Sequence, residues 1–109
     1  MNHPSPYEFS VTVGHHRDSV TLAPAGEIDL VTAPVVADHL EAIATGGGVT
    51  EVVIDLEAVT FFDSTGVALL LGSCRRAERE GWTLRIVNTP PDARGVLDLC
   101  DLLDVLQVR

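Results

Sequence analysis

The residues with the clearest potential for chemistry form the stretch Asp63-Ser64-Thr65-Gly66. A β-branched apolar run precedes this stretch and a run with helical periodicity follows it, so Ser64 is predicted to lie at a helix N-terminus. Unpaired backbone N–H groups and the helix dipole favour negative charge there, and a phosphate on the Ser64 hydroxyl would suit the site. Asp and Ser are also preferred helix caps for structural reasons alone. Local chemistry therefore leaves two interpretations, a modified hydroxyl and a plain cap.

The helix after this stretch is predicted to cover residues 64–80. At 100° per residue its apolar side chains form one stripe that should pack on a sheet: Val67, Leu70, Leu71 and Cys74. Leu69 is predicted to lie on the far side, together with Ser73. A single exposed leucine is ordinary on a protein surface. The position of Leu69 beyond Ser64 also fits a surface that contacts a partner, and both interpretations stay open.

Short apolar runs elsewhere predict the strands of a sheet, at residues 7–13, 19–25, 50–56 and 83–87. The first two should form a hairpin with a turn at residues 14–18. Pro24 cannot donate a hydrogen bond to a neighbouring strand, so it is expected near a strand end or on an edge. Because helices separate the later strands, we expect a mixed sheet whose later strands are parallel.

Two further helices complete the predicted order. Thr32 is a plausible N-cap for the first, whose buried stripe should be Val36, Leu40 and Ile43, and Gly46-Gly47-Gly48 should end it. Thr89 opens the last helix, and residues 106–108 are predicted to form a short closing strand. Residues 1–6 are expected to be a loose leader.

Composition limits the classes of function. The 109-residue chain has a formal net charge of −9, and its seven basic residues are all arginines. An acidic surface repels phosphate backbones, so direct nucleic-acid binding is not expected. Phosphate-loop NTPases and Schiff-base enzymes need a lysine, which this chain lacks. Because no apolar run could span a bilayer and residues 1–6 do not resemble a signal peptide, we expect a cytoplasmic protein without membrane insertion.

No metal site or cofactor is predicted. His15 and His16 are neighbours, and in a strand they would point to opposite faces, so they are expected at a solvated hairpin end. Cys74 and Cys100 lie in helical patterns and are expected to be buried thiols and not a disulfide.

The strand at residues 50–56, the aromatic turn after it, Asp63-Ser64-Thr65-Gly66 and the apolar helix together resemble the core signature of STAS-domain anti-sigma factor antagonists. Gly26-Glu27-Ile28-Asp29, followed by Thr32-Ala33-Pro34, resembles a second family landmark, a turn that leads into the first helix. The resemblance implies a flexible leader at residues 1–6 and one STAS domain at residues 7–109. It also implies an α/β fold in which a mixed sheet carries its helices on one face. The family usually has a glycine where Asp101 stands, which puts the local geometry there in doubt.

The resemblance also implies a function. In that family the serine directly after the aspartate is phosphorylated by an anti-sigma factor that is itself a serine kinase, and Ser64 occupies that position. The unphosphorylated protein would bind this partner and free a sigma factor, and the phosphorylated protein would release it. Asp63 and Gly66 are expected at the contact, with Thr65 as a secondary acceptor. Asp29 is either a partner contact or a turn residue that binds its own backbone.

Two other functions were weighed against this one. A phosphoaspartate receiver could use Asp55 at a strand end, but receivers need clustered carboxylates, a magnesium ion and a lysine. Ser64 has no sequence-defined base, since all four histidines lie before residue 40. We therefore expect neither catalysis nor a small-molecule substrate. The remaining alternative is a STAS interaction subunit of a stress-sensing or lipid-transport complex without sigma-factor control.

Overall fold

The computed structural model describes residues 8–91 and 94–95. The helices and strands of that part are β1 (Ser10–His16), β2 (Ser19–Ile28), α1 (Ala33–Gly46), β3 (Glu51–Asp55), β4 (Val59–Phe62), α2 (Ser64–Glu80) and β5 (Thr83–Val87). The predicted bounds of α2 and β5 are confirmed. The predicted leader, most of the predicted last helix, the closing strand at residues 106–108, Cys100 and Asp101 lie outside the described residues.

The sheet is mixed, as predicted. β1 and β2 form an antiparallel hairpin, whereas β3, β4 and β5 run parallel to their neighbours. The order is β1-β2-β3-β5, with β4 beside β2. Buried residues alternate with more exposed ones along β2, β3 and β5, and α1 and α2 contact each other as well as the sheet. One face of the sheet is therefore covered by both helices, which confirms the predicted α/β class.

The core lies between that face and the two helices. It contains aliphatic residues of every layer, among them Val20, Leu22, Val52, Ile54, Leu40, Leu70 and Ile86. Complete burial of such a side chain contributes roughly 1.5–3 kcal/mol, so this layer holds both helices firmly against the strands that precede them. Cys74 is a free, half-buried thiol. No helix in the described part of the chain is long and apolar enough to cross a membrane.

The β1–β2 hairpin is longer than predicted. β1 continues through Gly14 to His16, and the turn consists of Arg17 and Asp18 alone. Gly14 was expected to turn the chain, but it pairs with Thr21 in the ladder, and the residue with left-handed backbone geometry is Arg17, at φ 57°. His15 and His16 are exposed at the hairpin end, as expected.

The largest departure from the sequence prediction is β4. Residues 59–62 were expected to be a turn, as were residues 26–28, yet each forms a strand segment because it pairs with the other. Pro24 was expected near a strand end or on an edge, and this is wrong, since β2 is an inner strand. Pro24 lies where β2 changes partner, after its pairing with β3 ends at Leu22 and before its pairing with β4 begins at Gly26. A residue without an N–H is tolerated beside that gap.

Helix α2 is rotated from its predicted orientation by about 60°, at 100° per residue. Its buried residues are Gly66, Val67, Leu70, Ser73 and Ala77. The expected exposure of Ser73 is wrong, because its side chain is 2% exposed and its hydroxyl donates to the Leu69 carbonyl oxygen at 2.8 Å. Leu69 was expected on the far side of the helix and is instead half-buried against the core. The apolar pattern was misleading because two buried residues of the helix, Gly66 and Ser73, carry no apolar signal. Ser73 can face the core because its hydroxyl is hydrogen-bonded within its own helix.

Candidate functional site

Two stretches that are distant in the sequence meet where β2 and β4 end. These parallel strands pair Glu27 with Phe61 and Ile28 with Phe62, after a register shift beside Gly26. Asp29 and Asp63 are the next residues along each chain segment. The Gly26–Asp29 landmark therefore lies beside the start of α2, at the same end of the sheet, as the sequence indicated.

Asp63 is the N-cap of α2. Its backbone is extended, its Oδ1 accepts a hydrogen bond from the Thr65 N–H at 2.9 Å, and its carbonyl oxygen accepts from the Val67 N–H at 3.1 Å. The side-chain contact satisfies one of the N–H groups that a helix start leaves unpaired, and the bond from Val67 is the first regular hydrogen bond of the helix. Asp63 is therefore the residue that caps α2, and the Ser64 hydroxyl is not needed as a cap.

Ser64 is the first residue of α2 and is exposed. Its hydroxyl has no hydrogen-bond partner among the described residues. Thr65, the next residue, is half-buried and its N–H is already bound to Asp63. The positive end of the helix dipole favours an anionic group at both positions, and Ser64 is the more accessible of the two.

Gly66 is buried against a side chain of its own domain. A β-carbon at this position would lie 2.5 Å from Phe62 Cε2 and 2.6 Å from Phe62 Cδ2. Contacts this short do not occur between real atoms, so the aromatic ring of β4 requires glycine here. The need for glycine at this position is therefore explained within the molecule, by packing that fixes α2 on the end of β4.

Asp29 organises the turn that leads into α1. Its Oδ1 accepts from the N–H groups of Val31 at 2.9 Å and Thr32 at 3.0 Å, and its carbonyl oxygen accepts from the Ala33 N–H at 2.9 Å. Thr32 is the N-cap residue of α1, as predicted, but its side chain makes no hydrogen bond to the helix N–H groups. Its hydroxyl bonds backwards, accepting from the Asp29 N–H at 2.9 Å and donating to the Glu27 carbonyl oxygen at 2.6 Å.

These bonds change the acidity of Asp29. The Thr32 N–H holds the pKa of the carboxyl below its ordinary value of 3.8; partial loss of hydration acts in the opposite direction, and the Val31 N–H and the Thr32 hydroxyl lower the pKa further. The carboxylate is therefore charged at neutral pH and engaged by its own turn. The structural interpretation of Asp29 is confirmed, and its contact with a partner stays a prediction.

Exposed apolar residues that were not predicted as site residues border this site. Leu30 and Val31 lie in the Asp29 turn and are each 81% exposed, and Phe61 on β4 is 46% exposed. With Ser64 these residues form what we call the strand-end surface: Leu30, Val31, Phe61 and Ser64. Two aliphatic residues in a turn between a strand and a helix were the available signal, because such side chains are usually buried by one element or the other.

Asp55, the candidate acceptor of a receiver, has a structural environment. Its Oδ1 accepts from the Glu57 N–H at 3.0 Å and from Asn88 Nδ2 at 3.0 Å, which ties the end of β3 to the residue after β5. Within residues 8–91 and 94–95, no group of three or more acidic, histidine or cysteine side chains could hold a metal ion. The arrangement differs from the carboxylate cluster that a receiver needs.

Comparison with known proteins agrees with this geometry. The STAS domain family model matches residues 10–109. The anti-sigma-B factor antagonist of Bacillus subtilis is 27% identical over 100 residues, which cover 92% of this chain and 90% of that protein. The crystal structure of an anti-sigma factor antagonist from Mycobacterium paratuberculosis has a TM-score of 0.83 at 26% identity, covering 97% of this chain and 89% of that one.

A third relative has been solved in two states. The anti-sigma factor antagonist SpoIIAA in its unphosphorylated form has a TM-score of 0.74 at 26% identity, covering 85% of this chain and 82% of that one. The phosphorylated form of SpoIIAA, a Bacillus cell fate determinant, has a TM-score of 0.70 at 26% identity and covers 85% of both chains.

The fold and the site define a small α/β domain that presents a serine at a helix N-terminus. The chain belongs to the STAS domain family. The relatives named above are antagonists of anti-sigma factors.

Proposed function

We propose that this chain is an anti-sigma factor antagonist and that an anti-sigma factor of the serine-kinase type phosphorylates Ser64. The unphosphorylated chain binds that anti-sigma factor and so frees a sigma factor, and the phosphorylated chain releases it. The observation that carries the proposal is the position of Ser64, exposed at the first residue of α2 beside the Asp29 turn. The names of the relatives, and the two forms of SpoIIAA, support it.

The energetics favour release over unfolding as the effect of phosphorylation. A phosphate adds about −1.5 to −2 charges at pH 7. At a helix N-terminus such charge is stabilised by roughly 0.3–1 kcal/mol, so α2 keeps its structure. At an interface, an unpaired buried dianion costs several kcal/mol. Since a loss of about 3 kcal/mol already weakens binding more than a hundredfold, the interface effect dominates.

The strand-end surface would supply the affinity of the unphosphorylated form. Leu30 and Val31 are available to a partner because they are 81% exposed, and burial of one such side chain contributes roughly 1.5–3 kcal/mol. Ser64 lies beside this apolar area, so a phosphate there would enter the dry part of the contact. The apolar residues bind and the serine controls the binding.

The other predicted contact residues have supporting roles in this proposal. Asp63 keeps one carboxylate oxygen for a partner while the other caps α2, and Thr65 is the secondary acceptor. Gly66 acts indirectly, through its packing on Phe62. Leu69, which is half-buried, belongs to the margin of the surface. The chain itself would not be a catalyst, and the proposed partners place its action in the cytoplasm.

The test is phosphorylation by candidate anti-sigma factors. The chain is incubated with each serine-kinase anti-sigma factor and ATP, and phosphate is located by mass spectrometry. Ser64→Ala should abolish incorporation while binding of the anti-sigma factor is kept, and Thr65→Val, the matched neighbour, should be modified as well as the wild type. Undiminished phosphate in Ser64→Ala, mapped to another residue, would show the assignment to be wrong. If no anti-sigma factor binds, the chain is instead an interaction subunit of a stress-sensing or lipid-transport complex.

A further inference from the structure

A cavity of about 420 Å³ lies at the end of the sheet opposite Ser64. It opens between the C-terminal half of α1 and the β1–β2 hairpin, where β2 begins at Ser19. Ser64 lies beyond the other end of β2, at Ile28, and ten strand residues span roughly 30 Å. The volume is within the range of roughly 300–1,000 Å³ that holds small organic ligands. The cavity is therefore separate from the strand-end surface.

The floor of the cavity is apolar. Val20 and Leu22 of β2 line it together with Ile43 of α1 and Val49, and Val13 of β1 forms one wall. Val13 pairs with Leu22 across the hairpin, so its side chain lies on the face that the helices cover. It is nevertheless 39% exposed, because the cover of α1 does not reach fully over β1. A ligand with an aliphatic part would remove this apolar wall from water.

The rim of the cavity is basic. His15 and Arg17 reach it from the hairpin and His39 from α1, and no carboxylate of a described residue lines it. His39 Nδ1 lies 2.8 Å from the Val35 carbonyl oxygen, so Nδ1 carries a proton and the neutral ring presents Nε2 as an acceptor. The donor for an anion at this rim is therefore the Arg17 guanidinium. In a chain with a net charge of −9, Arg17 is a positive charge on a rim that no described carboxylate lines, and it would attract an anion.

The backbone of Arg17 is a second, independent observation. It occupies the first of two turn residues at φ 57°, a left-handed geometry that favours glycine or asparagine in two-residue hairpins. Arginine has no conformational advantage there, so the hairpin carries a residue with a costly backbone geometry in the lining of the cavity. Strain of this kind at a cavity rim indicates that the side chain is used.

We propose that this cavity binds a small amphipathic anion, with one carboxylate on an unbranched aliphatic tail. The tail packs on Val13, Leu22 and Ile43, and the carboxylate accepts hydrogen bonds from the Arg17 guanidinium. The ligand is not a substrate, and its binding does not depend on the phosphorylation of Ser64. This site is thus a second input to the domain, at the opposite end from the first.

Octanoate is the probe, and binding to the full chain is followed by titration calorimetry and by backbone amide shifts in NMR spectra. We expect saturable binding, with shifts concentrated at Val13 and residues 46–49. 1-Octanol keeps the tail but loses the charge-assisted hydrogen bond, and acetate keeps the charge but loses the buried tail. Each should therefore bind at least about tenfold more weakly than octanoate. Shifts concentrated at the Ser64 end, or equal affinity for octanol, would overturn the proposal.

Two variants separate binding from folding. Arg17→Gly relieves the left-handed strain, so the melting temperature should stay the same or rise while octanoate affinity falls about tenfold. Ala42→Trp fills the cavity from an exposed position of α1 and should abolish binding, whereas Ala37→Trp, exposed on the same helix away from the cavity, should not. Unchanged affinity in Arg17→Gly contradicts the proposal even if Ala42→Trp fails to fold.

Discussion

The ring of Phe62 occupies the space where a β-carbon of residue 66 would lie. Phe62 ends β4 and Gly66 lies in the first turn of α2, so this contact sets the angle at which the helix leaves the strand. Because Ser64 lies between the two residues, its position depends on a contact that it does not make itself.

Replacement of this glycine tests that dependence. Gly66→Ala gains up to about 1 kcal/mol of helix propensity but forces the alanine methyl into the Phe62 ring, and overpacking costs about 1–3 kcal/mol. We expect a net loss of stability in urea denaturation. Gly72→Ala is the matched control, because nothing lies within 4 Å of its β-carbon, and it should stabilise the protein by about 0.5–1 kcal/mol. Equal gains in both variants would show that the ring does not constrain residue 66.

The hydrogen bonds of Asp29 predict a pH dependence. Because its pKa in the folded protein is lowered, its contribution to stability is complete above the unfolded value of about 3.9 and is lost as the pH falls through the folded pKa. Asp29→Asn can accept the same bonds but does not titrate. Its unfolding midpoint should lie below that of the wild type at pH 7, and the two should converge below about pH 4. If the difference between the two unfolding midpoints did not change with pH over this range, the Asp29 carboxylate would make no contribution to acid unfolding.

The strand-end surface predicts a loss of binding without a loss of stability. Because Leu30 and Val31 are each 81% exposed, the free energy of unfolding of the double variant Leu30→Ser/Val31→Ser should remain within about 0.5 kcal/mol of wild type. Affinity for the anti-sigma factor should fall at least about tenfold, as expected when about 1.4 kcal/mol is lost at an interface anchor. Val13→Ser, at the opposite end of the sheet, is the control. Retained affinity in the double variant would place the contact elsewhere.

Helix α2 offers a pair of adjacent positions that test its orientation. Leu69 is half-buried against the core, so Leu69→Arg should cost about 1–2 kcal/mol and lower the melting temperature by several degrees. Ala68 is exposed one turn beyond Ser64, and Ala68→Arg should leave the melting temperature unchanged while it weakens partner binding. If Leu69→Arg melted like the wild type, the helix would be rotated from the orientation described above.

Phosphorylation itself should leave the fold intact. The dipole effect is at most about 1 kcal/mol, which moves the unfolding midpoint of a domain this size by roughly 4–8 °C. Calorimetric scans of the phosphorylated and unmodified chains should therefore differ by no more than this. A phosphorylated chain already unfolded at room temperature would mean that release occurs by melting of α2.

Long periodic patterns in the sequence were sufficient to locate α2 and β5 with their observed bounds. They were not sufficient for β4, because Val59–Phe62 is too short to show a strand pattern and forms a strand only by pairing with residues 26–28. The rotation of α2 was missed for a related reason, since buried Ser73 and Gly66 carry no apolar signal. Tertiary pairing and packing decided each of these cases.

At the candidate site, the sequence predicted that Ser64 lies at a helix N-terminus. It did not decide between a helix cap and a phosphate acceptor. The hydrogen bond from the Thr65 N–H assigns the cap to Asp63, and no sequence pattern distinguishes two neighbouring residues that both cap well. The sequence shows two aliphatic residues at positions 30 and 31, but their exposure depends on how the Asp29 turn folds back on itself.

The parallel pairing of Ile28 with Phe62 means that backbone hydrogen bonds hold the two halves of the site together. A slip of one residue in β4 would reverse the face of each of its side chains and displace Ser64 from Asp29 by about 3.3 Å. The exposed side chains of Leu30, Val31 and Ser64 can therefore be exchanged without disturbing this geometry. Insertions or deletions within residues 26–28 or 59–62 would shift the pairing of the two strands and disturb the site. The exposed side chains of the site can therefore vary, whereas the lengths of the two strand segments cannot.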